Sequence, residues 1–170
     1  MIKVNLSSLT HAKSGNQLTV DLDLGHLQID DLDLSFLKGQ ILFTRIADGI
    51  LVQGSLDTEV KTECTRCLSP YYAPVDIEIE DDVINLPGAA LTQERPVRVD
   101  ETGWADLSPF IREYAWLGIP AIALCSENCK GICLECGGNR SLGECTCEEV
   151  IKIDPRWEAL RALMDSPDNA

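Results

Sequence analysis

Eight cysteines in paired spacings constrain this chain more than any other feature. They stand at positions 64, 67, 125, 129, 133, 136, 145 and 147, giving a C-x2-C, a C-x3-C, a second C-x2-C and a C-x-C. Zinc and iron each take four thiolates in a tetrahedron, and a tight turn that supplies two ligands removes much of the entropy cost of building such a site. Eight cysteines make two sites. Unrelated core thiols would not fall into pairs, and a disulfide framework needs an oxidising compartment. The start, Met1-Ile-Lys-Val-Asn-Leu6, lacks a basic segment followed by an apolar run. No stretch approaches the roughly 20 apolar residues of a membrane span. The expectation is a cytoplasmic chain, away from any membrane, with reduced thiols that bind metal.

Residues 133–147 contain four of the cysteines around a short loop, with Gly137 directly after the second. A glycine there can adopt a left-handed conformation and aim backbone N–H groups at the sulfurs. This assigns Cys133, Cys136, Cys145 and Cys147 to one ion and leaves Cys64, Cys67, Cys125 and Cys129 for another. Two zinc ions are expected. Iron is the alternative, because Cys133 to Gly137 resembles the knuckle of rubredoxins, and so is a thiol redox role. A redox C-x2-C usually opens a helix, however, whereas Cys64 and Cys67 follow a strand and precede Ser69-Pro70. Closed four-thiolate sites leave no coordination position for substrate. There is no G-x-S-x-G, phosphate-binding glycine loop, dinucleotide fingerprint or H-E-x-x-H. His11 and His26 read as surface residues, so no enzyme is expected.

Around the cysteines, apolar and polar residues alternate through Leu18–Leu24, Leu27–Leu34 and Val75–Glu80, the period of strands with their acids outward. The segments Gln40–Ala47 and Ile50–Glu63 flank Asp48-Gly49, a dipeptide suited to the positive φ angles of a tight hairpin. Residues 85–96 read as a loop. Leu107, Phe110, Ile111, Tyr114 and Leu117 follow helical spacing, with Asp106 or Ser108-Pro109 to start the helix and Gly118 with Pro120 to stop it. A closing helix is expected from Asp154-Pro155, carrying Trp157, Leu160, Leu163 and Met164 on one stripe. The fold class is α+β: a mostly antiparallel β-rich body with two short helices and a cysteine-rich zinc module. The body covers 1–104, the helices and module 105–164, packed with it, and 165–170 form a frayed tail. The Asp-Leu-Asp-Leu repeats at Asp21 and Asp31 lack the spacing of a calcium loop.

Fourteen Lys and Arg oppose twenty-eight Asp and Glu, for a formal charge of −14. Eight thiolates (−8) and two zinc ions (+4) would take it to about −18, a field that repels nucleic acid and favours either basic protein partners or simple solubility. Glu78, Glu80, Asp81 and Asp82 are the outward acids expected to meet a basic partner. Arg66, Lys130 and Arg140 are the cations of the metal module, and the alternative is that they touch RNA directly.

The motifs taken together resemble the YceD family, named for accumulation of large-subunit ribosomal RNA. The matching stretches are Cys64-Thr-Arg-Cys67-Leu68, Asp106-Leu107 through Ile119-Pro120, Cys125 through Cys147, and Asp154-Pro155-Arg156 with the segment Leu160 to Leu163. Departures are Leu134-Glu135, where a proline is frequent, and Arg140-Ser141, where Leu-Asn is common; neither alters a cysteine. The resemblance implies a role in synthesis, processing or stability of large-subunit ribosomal RNA, in bacterial cytoplasm or chloroplasts. With that role, the acidic charge leads us to expect as partner a ribosomal precursor particle or a basic large-subunit ribosomal protein.

Overall fold

Period-two alternation becomes a meander of long antiparallel strands. A computed structural model describes residues 1–87, 97–147 and 155–157. Along the chain lie β1 (Lys3–Asn5), α1 (Ser7–Thr10), β2 (Gln17–Leu24), β3 (Leu27–Ile29), β4 (Leu32–Arg45), β5 (Gly49–Glu63), β6 (Pro70–Asn85), β7 (Trp104–Asp106) and α2 (Ser108–Gly118). The main sheet runs β2-β4-β5-β6, with β3 paired to the start of β4, while β1 and β7 form a separate two-stranded ribbon. Every strand pair is antiparallel. The α+β class expected from sequence is the one observed.

One face of this sheet is covered. Leu34, Leu37, Ile41 and Phe43 of β4, Ile50, Val52, Leu56 and Val60 of β5, and Val75, Ile77, Ile79 and Ile84 of β6 are buried with Leu107, Phe110, Ile111 and Ala115 from the helical segment. Side chains of this size each contribute roughly 1.5–3 kcal/mol when taken from water. Ile2, Val4, Leu6 and Leu9 join the same core, and the Ile2 N–H donates to Ser108 Oγ at 2.8 Å, tying the first strand to the start of α2.

Several local expectations change. The run 27–34 is not one strand: it breaks at Asp30, whose φ of 50° turns β3 back onto β4. The β4–β5 hairpin forms around Asp48-Gly49, but neither residue has a positive φ. Gly49 is needed for space instead, since a Cβ there would come within 2.8 Å of Ile84 O. The Arg45 guanidinium caps the turn by donating to the carbonyls of Ile46 and Gly49.

Asp82 is not outward. Glu80 and Asp81 of β6 bulge opposite the single Gln53 of β5, which shifts the phase of β6, so Asp82 pairs with buried Val52 and one of its carboxylate oxygens is buried without a hydrogen-bond partner. Glu78, Glu80 and Asp81 remain exposed. On α2, Leu117 is 75% exposed rather than part of the buried stripe, which runs through Leu107, Phe110, Ile111 and Ala115. The short α1 had no clear signal in the sequence. Of the predicted closing helix, Pro155–Trp157 form a single 3-10 turn; Leu160, Leu163, Met164 and the tail lie outside the described residues, as do residues 88–96 of the predicted loop.

The topology places the cysteines. The β5–β6 connection is the 64–69 turn, and α2 returns the chain to the same end of the sheet. Gly118 lies so close to β6 that a Cβ there would meet Val75 Cγ1 at 2.4 Å. Ile119 takes an extended conformation before Pro120, as a residue preceding proline must, and the chain leaves the helix beside the 64–69 turn.

Candidate metal centres

The two sets of cysteines paired from spacing are the two sets that the fold brings together. In Cys64, Cys67, Cys125 and Cys129, and again in Cys133, Cys136, Cys145 and Cys147, the sulfurs all lie within 4.8 Å of one another. None forms a disulfide. In the first set Cys64 Sγ is 3.8 Å from Cys129 Sγ, and Cys67 Sγ is 3.7 Å from Cys125 Sγ. Four sulfurs around one zinc at about 2.3 Å would stand about 3.8 Å apart at tetrahedral angles. The donor sets therefore fit a soft four-coordinate ion such as zinc or iron, which they would hold with all four positions filled by protein.

Both C-x2-C turns have the same backbone design. Leu68 N–H donates to Cys64 O and Gly137 N–H to Cys133 O, each at 2.9 Å; Cys64 N–H donates to Ser69 O at 3.0 Å and Cys133 N–H to Gly138 O at 2.9 Å. The residue after the second cysteine must be left-handed. Gly137 does so at φ 72°, as its position suggested, and Leu68 does so at φ 58° without being glycine.

These turns aim N–H groups at sulfur. Backbone N–H groups, that of Cys125 foremost, pull the Cys64 thiol down to about 6. The N–H groups of Cys136 and Glu135, with the Arg140 side chain, pull Cys133 down to about 6. The Ser69 N–H and hydroxyl lower Cys67. Crowding does the opposite at one cysteine of each set: Cys67 chiefly pushes Cys125 up to about 12, and Cys136 chiefly pushes Cys147 up to about 12. Each set thus offers a ready thiolate and a thiol that keeps its proton until a cation relieves the repulsion.

A seam joins the two sets. Ile132 N–H donates to Arg66 O at 3.1 Å and Arg140 N–H to Gly131 O at 3.0 Å, while Thr65 N–H donates to Ala123 O at 2.8 Å between the two segments of the first set. Gly131, at φ 72°, lets the chain pass so close that a Cβ would lie 3.0 Å from Arg66 O. Asn139, buried and polar, donates from Nδ2 to Ser69 Oγ at 3.0 Å and accepts from the Ser141 N–H at 2.9 Å. Ser141 Oγ lies 3.6 Å from Cys129 Sγ and accepts from the Lys130 N–H at 2.9 Å. Sequence reasoning missed Ser69, Gly131, Asn139 and Ser141; only their closeness to cysteines in the chain could have pointed to them.

The three module cations are placed as follows. Arg66 Nη1 donates to Cys129 O at 3.2 Å, Arg140 Nη2 lies 3.6 Å from Cys133 Sγ, and Lys130 is exposed. Arg66, exposed, and Arg140, half-buried, thus each make a contact to the module's own cysteines. His11 is exposed, and His26 pairs with Asp33 at 2.8 Å on the surface.

A mostly antiparallel sheet with paired cysteine turns that gather two closed sets of four thiols, each able to hold a metal ion, defines the class of protein. Within that class, the sequence pattern of one family, described as large ribosomal RNA subunit accumulation protein YceD, matches residues 52–164, and the chain belongs to that family. The family description names an accumulation role and no catalytic activity. An uncharacterized protein of Mycobacterium tuberculosis is 32% identical over 124 residues, covering 70% of this chain and 58% of its own length. An uncharacterized protein of Mycobacterium leprae is 28% identical over 126 residues, covering 72% and 56%. The chain thus spans little more than half the length of these relatives. The maize protein named large ribosomal RNA subunit accumulation protein YCED homolog 1, chloroplastic, is 46% identical over 44 residues, 25% of this chain and 15% of its own. No solved structure matches the chain. No helix among the described residues is long and apolar enough to cross a membrane.

Proposed function

We propose that this chain is a cytoplasmic, non-catalytic zinc protein that supports accumulation of large-subunit ribosomal RNA by binding a protein component of the assembling particle. The observation that carries the reading is the pair of closed four-cysteine sets, with sulfurs at tetrahedral spacing, in a member of a family described by that role. Structural zinc sites contribute folding energy directly, so the ions would hold the 120–147 segment against the sheet.

The outer face of the sheet supports a basic protein partner. Asp57 of β5 stands directly opposite Asp76 of β6, and Glu78 opposite Ser55, with Asp21 and Asp23 on β2 beyond β4 and Lys38 of β4 between Asp23 and Asp57. Like charges directly opposite each other destabilise a sheet; Lys38, opposite Asp57 and 3.3 Å from Asp23, offsets part of that cost, and a cationic partner would offset the rest. Arg66 and Arg140 already bond within the module, which favours this reading over an RNA contact made by those side chains.

Three measurements test it. Elemental analysis of native protein should give two zinc ions per chain, whereas a red or brown protein containing iron overturns the choice of metal. Cells carrying Cys125→Ser should accumulate less mature large-subunit ribosomal RNA than cells carrying the unaltered chain; equal amounts overturn the role. Capture of basic ribosomal proteins should weaken as salt rises, because attraction between exposed charges is screened over roughly 8 Å at physiological ionic strength.

A further inference from the structure

We infer that Asn139 and Ser141 couple the two metal sites, so that filling either one strengthens the hold of the other. The inference rests on the metal-binding reading above. Both residues belong to the loop between Cys136 and Cys145, whose course is set by the second site, yet their side chains reach the first. Ser141 Oγ lies 3.6 Å from Cys129 Sγ and is itself fixed by the Lys130 N–H at 2.9 Å. Asn139 Nδ2 reaches Ser69 Oγ at 3.0 Å, and Ser69 follows Cys67 by two positions in the turn that presents it. Two ligands of the first site, on two different segments, are therefore positioned by one loop of the second.

The loop is held to this duty. Asn139 is 7% exposed, and its amide oxygen accepts the Ser141 N–H at 2.9 Å, so the two residues move together. The Asn139 N–H donates to Glu144 Oε2 at 3.1 Å and Glu144 N–H to Asn139 O at 3.1 Å, joining Asn139 to the residue just before Cys145. A displaced Cys145 would carry Asn139 with it. Partners that orient metal ligands change affinity by about 10–100-fold when removed. Binding linkage is reciprocal, so the factor by which the second ion helps the first must equal the factor by which the first helps the second.

The test uses the full chain, zinc as the probe and a competing chelator to read affinity. Cys136→Ser leaves only the first site and Cys125→Ser only the second. Each remaining site should bind zinc about tenfold more weakly than the same site in the unaltered chain, and by the same factor in both. Ser141→Ala should weaken the first site about tenfold with two ions still bound, Ser141→Thr should restore it, and Ser141→Ala added to Cys136→Ser should cost little more. An unaltered chain that holds two zinc ions, with a first site unmoved by both Cys136→Ser and Ser141→Ala, overturns the coupling alone. An unaltered chain that binds no zinc overturns the metal reading and the coupling with it.

Discussion

The two cysteine sites share a turn design but differ in what surrounds them. The first joins the end of β5 to a segment that arrives after α2, and Cys64, Cys67 and Cys129 are buried with Tyr71 and Leu124 in a small apolar cluster. The second draws all four ligands from residues 133–147, with Cys136 exposed and neighbouring Leu134 and Leu142 at 96% and 68% exposure. One site is a clasp between distant parts of the chain. The other is a loop closed on itself, with little apolar packing to hold it. The same four thiolates can therefore do different work, set by whether the ligands are near or far in sequence.

The largest effect that would sharpen this contrast is loss of the clasp. Cys64→Ser should release the ion of the first site, which structural zinc values put at about 10–16 kcal/mol of apparent binding energy, and free residues 120–147 from the sheet. The sheet itself should persist, because its core from Ile2 to Ala115 is separate from the Cys64 cluster. Hydrogen exchange should show protection lost across 120–147 and kept in β4, β5 and β6. Global unfolding with the loss of that ion would show that the clasp supports the sheet as well. Cys147→Ser should do less: one ion lost, exchange raised within 133–147, and protection of Thr65 N–H retained.

A smaller effect separates the sites through two glycines of equal conformation. Gly131 and Gly137 both have φ 72°, but a Cβ on Gly131 would press on Arg66 O at 3.0 Å, while a Cβ on Gly137 would meet nothing within 4 Å. Gly137→Ala should cost about 1 kcal/mol, the left-handed penalty alone. Gly131→Ala should cost about 1 kcal/mol more, and should weaken the first site by loosening the seam. Equal losses in denaturant melts of the zinc-loaded protein would mean that the seam yields without resistance.

What could be read from sequence follows the same division. The cysteine pairing was legible because ligand spacing is chemistry carried by single residues, and the sheet was legible because alternation has one structural meaning. Asp82 was misread because the bulge that turns it inward is set by pairing with β5, which no period along β6 reveals. Gly49 was assigned a turn conformation when its role is to let β6 approach. Asn139 and Ser141 looked like ordinary loop residues, since their partners, Ser69 and Cys129, lie elsewhere in the chain. Contacts between distant segments decide each of these cases.

The smallest expected effect concerns Leu68, the counterpart of Gly137. Its N–H makes the same 2.9 Å bond to the carbonyl of the first cysteine of its turn, and its φ of 58° is a conformation that costs a branched side chain about 1–2 kcal/mol. Its side chain is 58% exposed, so burial does little to offset that cost. Glycine would remove the strain but would give the unfolded chain about 0.5–1 kcal/mol of extra freedom. The difference predicts that Leu68→Gly stabilises the zinc-loaded protein by about 0.5–1 kcal/mol, a rise of about 1–4 °C in Tm for a chain of this size. Gly137→Leu should destabilise the second turn by about 1–2 kcal/mol, since it imposes the strain where none existed. Zinc content should stay at two ions in both variants, because neither change touches a ligand. A fall in Tm for Leu68→Gly would mean that the exposed leucine contributes more through its contacts than it loses through its backbone, and the two turns would then differ in side-chain packing as well as in setting.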